Sequence, residues 1–306
     1  MEITVNSETI DYTLENEKSL GDVVRGIETW LNNAHLVITS MKVGLRDLTA
    51  EPEPEWAAIP LDDVPRLDIT ARLYNEVQIS QLELMQRYLD NLRSAVASGA
   101  AEELDATMQG FEDIVGAMRE TLDINAMTRA GRGLQDLHKL LTGSSAEEVN
   151  AWPTGIKEKV IRVLADLSEG VRLRRREMER PVETLHSTAE ELRRSAFELE
   201  EVSVLLQQNE DEKAMSYVVR FSELVGSIVR MVSLLADTEE VSLDDLTIGE
   251  KSVRSFLESF NGILKELVEA FTTRDTVLIG DLLEYEISPR LESLVNFLVE
   301  FEPDKP

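Results

Sequence analysis

The chain has 306 residues, enough for about two domains, and 42% of them are apolar, which excludes a disordered tail. Its net charge of −28 opposes approach to DNA, RNA or anionic membranes, which it repels over a Debye length of roughly 8–10 Å. With no cysteine, disulfides, thiol chemistry and thiolate metal sites are excluded together.

Residues 1–72 differ in kind from the rest. Ile3-Thr4-Val5 alternates with polar neighbours, Asn6-Ser7-Glu8 reads as a turn, and Ile10–Leu14 alternates again, so a β-hairpin is predicted. Ser19 then precedes Leu20, Val23, Val24, Ile27, Trp30 and Leu31, one apolar face of a helix with Ser19 as its N-cap. Further β-prone stretches follow at Leu36–Leu45 and Leu67–Thr70, separated by a Pro-Glu loop and Trp56. Trp30 and Trp56 are expected in the core of this module.

From about residue 73 the hydrophobic period changes from 2 to 3.6. Val77 to Val96 traces one amphipathic helix, closed near Gly99. A second runs from Glu102 through Met118, and a third, from Met127 to Leu141, ends at Gly143. Ser144-Ser145 and Trp152-Pro153 punctuate the chain there. Trp152 is either a packing anchor or an exposed contact.

Between Ile156 and Leu206 the apolar steps are mostly threes and fours, as in a coiled-coil seam. Pro181 predicts a break near Arg180, because it lacks an amide donor and crowds the preceding turn. After a turn at Asn209–Asp211, three more helices are predicted, through Met215–Leu235, Val253–Phe271 and Val277–Leu298. A polar loop near Glu239–Asp245 separates the first two, and Pro289 kinks the last. Residues 81–118, 191–229 and 255–295 each read as a helical hairpin, from duplication or from shared hairpin physics.

The expected fold is therefore mainly α: antiparallel helical hairpins or a bundle with long coiled-coil-like helices, behind a small α+β module. The expected domains are 1–72, 73–150 and 151–306. In its order of hairpin, helix and further strands, and in its opening Glu2-Ile3-Thr4-Val5-Asn6, the module resembles the β-grasp (ubiquitin-like) fold. Ubiquitin-like carriers react through a C-terminal Gly-Gly tail. Here Ile69-Thr70-Ala71 runs straight into a helix, so the resemblance implies a recognition role rather than carrier activity.

Reactive groups do not converge in the sequence. His35, His138 and His186 lie in three different segments, and no phosphate loop, dinucleotide fingerprint, H-E-x-x-H or G-x-S-x-G occurs. Glu284 and Glu286 flank Tyr285 without the Glu-x-x-His pairs that a di-metal centre uses. Acidic doublets such as Glu190-Glu191, Glu200-Glu201 and Glu239-Glu240 read as solvated helix faces. No enzymatic activity, metal or cofactor is expected.

One basic cluster stands out. Arg172, Arg174, Arg175, Arg176 and Arg180 fall within nine residues, and Arg174 occupies a position where the seam wants an apolar side chain. These arginines either pair along the helix with Glu169, Glu177, Glu179 and Glu183, or contact an acidic partner.

No apolar run approaches the roughly 18–20 residues of a membrane helix, and the N-terminus lacks a signal-peptide pattern. The expectation is a cytoplasmic scaffold or adaptor that binds proteins but neither nucleic acid nor membrane, with residues 156–206 as the seam of a homodimer. A chaperone or assembly factor for helical exported or structural subunits is the alternative, and an enzyme with an unrecognised site is third.

Overall fold

The structure is a computed structural model that describes residues 1–13, 16–122, 129–237 and 242–302. Leu14, Met127, Glu239 and Glu240 lie outside the described residues. The chain divides into two compact units, Met1–Glu83 and Leu84–Pro306.

The first unit is mixed α/β. Strand β1 (Glu2–Val5) turns through Asn6 and Ser7 into β2 (Glu8–Thr9). Both turn residues have positive φ, 52° and 70°, the backbone that a two-residue hairpin loop requires. This tight turn starts pairing at Glu8, so the second strand is Glu8–Thr9 and not the expected stretch beginning at Ile10. Helix α1 (Leu20–Asn32) follows, then β3 (Leu36–Val43), β4 (Arg46–Asp47), the single turn α2 (Glu53–Trp56) and β5 (Arg66–Leu73). The sheet order is β2-β1-β5-β3-β4, with β1 and β5 parallel and the other pairs antiparallel.

Ser19 caps α1 in a reciprocal box: its Oγ accepts from the Asp22 amide, while the Asp22 carboxylate accepts from the Ser19 amide. The Lys18 amide also donates to Asp22 at 3.1 Å, and these bonds, Lys18 foremost, lower the carboxyl pKa to about 2. Leu20, Val23, Val24, Ile27 and Leu31 are buried with Ile3, Leu67 and Ile69. Trp30 departs from expectation. It lies at the margin of the α1 stripe and is 53% exposed, whereas Trp56 is half-buried and donates its indole N–H to the Glu51 carbonyl.

Helix α3 (Tyr74–Ser98) carries the chain into the second unit. There follow α4 (Ala101–Gln109), α5 (Phe111–Thr121), α6 (Arg129–Leu141), α7 (Ala146–Asn150) and α8 (Thr154–Glu179). Gly110 divides what the periodicity reads as one helix into α4 and α5. The short α7 has no apolar period to announce it; Ser145 and Glu148 form its capping box. Gly99, at φ 73°, ends α3, and its carbonyl accepts from the Asn150 side chain at 2.9 Å.

Helix α8 stops at Glu179 and α9 (Pro181–Glu200) begins on the proline, so the break falls at Arg180 (φ −144°, ψ 65°). Pro181 sits at the first helical position, where a missing amide costs nothing. Beyond it come α10 (Val202–Gln207), α11 (Asp211–Asp237), a two-residue hairpin of β6 (Thr247–Ile248) and β7 (Lys251–Ser252), α12 (Val253–Thr273) and α13 (Thr276–Asp281). A π-helical turn, Leu282–Ile287, then leads into α14 (Ser288–Glu300). The Ser288 amide bonds to the Leu283 carbonyl, five residues back, and Pro289 next to it has no amide to give. The expected kink is thus accommodated as a π turn.

A continuous core from Leu185 to Phe301 joins α9–α12, the π turn and α14. Phe221 of α11 meets Phe260 of α12 edge to face, with centroids 6.2 Å apart. The molecule is mainly α, with a small α+β module before a helical bundle. No helix among the described residues is long and apolar enough to cross a membrane.

Candidate functional site

The arginine cluster lies at the C-terminal end of α8, and most of it is paired. Arg172 binds Glu169, Arg175 approaches Glu179 at 3.4 Å, and Arg180 approaches Glu183 at 3.3 Å, each three or four residues apart. Arg176 is exposed and takes part in no ion pair among the described residues. Arg174 differs from all of these, because its partner is buried.

That partner, Glu177, is 1% exposed and accepts four hydrogen bonds. Arg174 Nη1 donates to Oε2 at 2.8 Å. From α11, Arg230 donates through Nε (3.0 Å) and Nη2 (2.8 Å) in a fork, and Ser227 Oγ donates to Oε1 at 2.5 Å. A carboxylate can be buried only when charge and lone pairs are met in this way. The cluster therefore ties α8 to α11. Arg174 Nε is buried without a hydrogen-bond partner, so the network is not fully satisfied. Arg174 and Glu177 were legible as a pair from their spacing. Ser227 and Arg230, three residues apart on α11, carried no signal of where they would dock.

The histidines stay apart. His138 stacks on Phe111 with centroids 6.3 Å apart, His186 Nε2 is 2.8 Å from the Phe301 carbonyl, and His35 is exposed with φ 54°. Glu286 pairs with Arg290 at 2.6 Å, while the neighbouring Glu284 carboxylate raises the pKa of the exposed Tyr285 hydroxyl. Among the described residues no group of three or more His, Asp or Glu side chains is arranged to hold a metal ion.

Two open grooves lie along α11. An open groove of about 1080 Å³ is formed by the first half of α11, the end of α10, the α12–α13 turn and Arg132 of α6. Its apolar lining includes Leu206, Met215, Val219, Phe271 and Ile279. Arg132, Arg220 and Arg274 share its lining with Asp211, Glu212 and Glu223, so its formal charge balances in a chain that is otherwise strongly acidic. Arg220 is held by Glu198 at 3.1 Å. Arg274, which caps α12, has the left-handed backbone (φ 56°) that usually falls to glycine. A second groove of about 810 Å³ runs between α11 and α12 over Val225, Val229, Leu257, Leu264 and Val268. These grooves were not visible in the sequence, since Met215 and Val219 carry the same period as the buried residues of α11.

The seam from Ile156 to Leu206 is largely consumed within the chain. Val160, Leu164, Leu167, Val171, Leu185 and Leu192 are all buried, and Ile156, Leu173, Phe197 and Val204 remain exposed.

Two family descriptions are similar to parts of this chain. "TP0873 N-terminal domain" matches residues 1–72, and "Domain of unknown function (DUF8042)" matches residues 183–297, a stretch lying almost wholly within the core from Leu185 to Phe301. An uncharacterized protein of Treponema pallidum (strain Nichols) is 26% identical over 106 residues, which is 34% of this chain and 51% of that protein. The chain thus spans about half the length of the curated relative it matches. No solved structure matches.

Proposed function

We propose that this chain is a non-enzymatic, cytoplasmic scaffold or adaptor whose helical region docks a segment of another protein. The observation that carries this is the groove of about 1080 Å³ on α11, open to solvent and floored by Met215, Val219, Phe271 and Ile279. Helical bundles present such apolar grooves to amphipathic helices, whose own apolar stripe completes the packing. The polar groups around it are arginines and carboxylates spread along a rim, an arrangement suited to fixing the register of a partner helix.

The N-terminal module fits a β-grasp-like recognition head. Its strand order β2-β1-β5-β3-β4, with parallel β1 and β5 and α1 between the two hairpins, supports that assignment. A homodimer through residues 156–206 has Ile156, Leu173, Phe197 and Val204 as its available apolar contacts. Of the arginine cluster, Arg176 is the member free to meet an acidic partner.

The test is a quantitative pull-down from native cells with the wild-type chain and Val219→Glu, alongside light scattering of both proteins. The expected result is a protein retained at fixed stoichiometry by the wild type and lost in the variant, with helicity unchanged. Identical retention by both would remove the groove from the account.

A further inference from the structure

A different face of the same region carries more specific chemistry. At the bend where α9 ends and α10 begins, Phe197 is 69% exposed and Val204, seven residues on, is 50% exposed. With Leu205 they line an open concavity of about 510 Å³. A phenylalanine this exposed has left most of its ring in water, a cost that a docking partner removes.

The surrounding charge is predominantly negative, three carboxylates against one ammonium. Glu200, Glu201 and Glu210 border the concavity, and none forms an ion pair among the described residues. The cation beside them, Lys213, lies 5.8 Å from the centroid of the Tyr217 ring. The site thus joins an apolar anchor to uncompensated carboxylates on a chain of net charge −28, whose field attracts cations before contact is made.

We propose that Phe197, Val204 and Leu205, with Glu200, Glu201 and Glu210, form a docking site for a cationic amphipathic helix of a partner protein. The apolar stripe of that helix covers Phe197 and Val204, and its Lys or Arg side chains reach the three carboxylates. An acidic helix would meet like charge at three of the four charged groups around the concavity, Lys213 being the exception, and a purely apolar segment would leave the carboxylates facing an uncharged surface. This surface is distinct from the groove floored by Val219, so the chain could hold two partners of different chemistry, as an adaptor does. The inference rests on the adaptor reading only in that shared sense.

The probe is a fluorescein-labelled peptide of Leu and Lys, about 18 residues long and roughly 27 Å as a helix, patterned to be amphipathic. Two controls accompany it: the same composition scrambled to abolish the stripe, and a Leu/Glu peptide with the stripe intact. Anisotropy titration of the full chain should show saturable 1:1 binding of the amphipathic Leu/Lys peptide alone. Phe197→Ala should weaken it by about tenfold or more, the scale of an interface hot spot. A Glu200→Gln/Glu201→Gln/Glu210→Gln variant should weaken it and flatten its salt dependence. These side chains are exposed, so circular dichroism should be unchanged in both variants. Equal binding of the scrambled peptide, or unchanged affinity in Phe197→Ala, would reduce the effect to general attraction by an acidic protein and overturn the proposal, as would no binding. Such a failure leaves the Val219 groove untouched, because its variant is read out separately.

Discussion

Removing the Glu177 carboxylate tests the structural logic of the helical region most severely. Glu177 is 1% exposed and receives four donors, three of them from Arg174 and Arg230. Breaking a fully buried ion pair costs about 3–5 kcal/mol, largely because the remaining charge is stranded. Here the stranded guanidinium groups are 20% and 32% exposed, so water recovers part of that cost and the lower end applies. We expect Glu177→Ala to lose about 3 kcal/mol, equivalent to a fall in melting temperature of roughly 6–12 °C for a unit of this size. Urea unfolding followed by circular dichroism at 222 nm reports it, since the second unit holds most of the helix. A double-mutant cycle with Arg230→Ala should give a coupling of at least about 1.5 kcal/mol, whereas a cycle with the exposed Arg180→Ala should give near zero. A loss below about 0.5 kcal/mol for Glu177→Ala would refute the claim that this carboxylate ties α8 to α11.

Four further outcomes follow from single positions. Because the Asp22 pKa is lowered to about 2, its stabilising bonds are fully present above the ordinary carboxylate value near 3.9 and are lost as pH falls towards 2. Asp22→Asn should therefore be less stable at neutral pH and show a flatter stability profile between about pH 4 and 2, measured by tryptophan fluorescence in a Trp152→Phe background, where only Trp30 and Trp56 of the first unit report. Gly21→Ala should cost about 1–3 kcal/mol, since its Cβ would lie 2.8 Å from Ala57 Cβ and 3.0 Å from the Ala57 carbonyl. Gly26→Ala places its Cβ 2.3 Å from the Tyr12 hydroxyl oxygen and 3.3 Å from Tyr12 Cζ, contacts that a swing of the half-buried Tyr12 side chain relieves, and should cost less than about 1 kcal/mol, both glycine variants being read by urea unfolding followed through tryptophan fluorescence. Arg274→Gly should raise stability by about 1 kcal/mol, because glycine adopts the left-handed cap without strain. A loss instead would mean that the Arg274 side chain contributes more than its backbone costs.

Much of the fold was legible because its signals are local. The switch from alternation to a 3.6-residue period near residue 73 separates the β-rich module from the helices, and Pro181 and Pro289 mark a helix break and a π turn. What escaped depends on few residues or on distant ones. The two-residue strands β2, β4, β6 and β7 are too short to alternate, and Gly110 interrupts an apolar stripe without changing its phase. Trp30 was misplaced because one helical face has margins, and a residue at a margin is buried or exposed according to what packs beside it. The arginine cluster was visible as charge and its helical pairing as spacing. The burial of Glu177 was not, because it depends on Ser227 and Arg230, about fifty residues away in the chain. The grooves on α11 belong to the same class, being spaces between helices rather than features of any one.

The central claim is that α11 docks a partner protein, and site-specific photocrosslinking in cells reaches it most directly. p-Benzoylphenylalanine placed at Val219, on the groove lining, should give a discrete protein adduct on irradiation. The same probe at the exposed Glu112 of α5 should not. Adducts of equal yield at both positions, or none at Val219, would contradict the account.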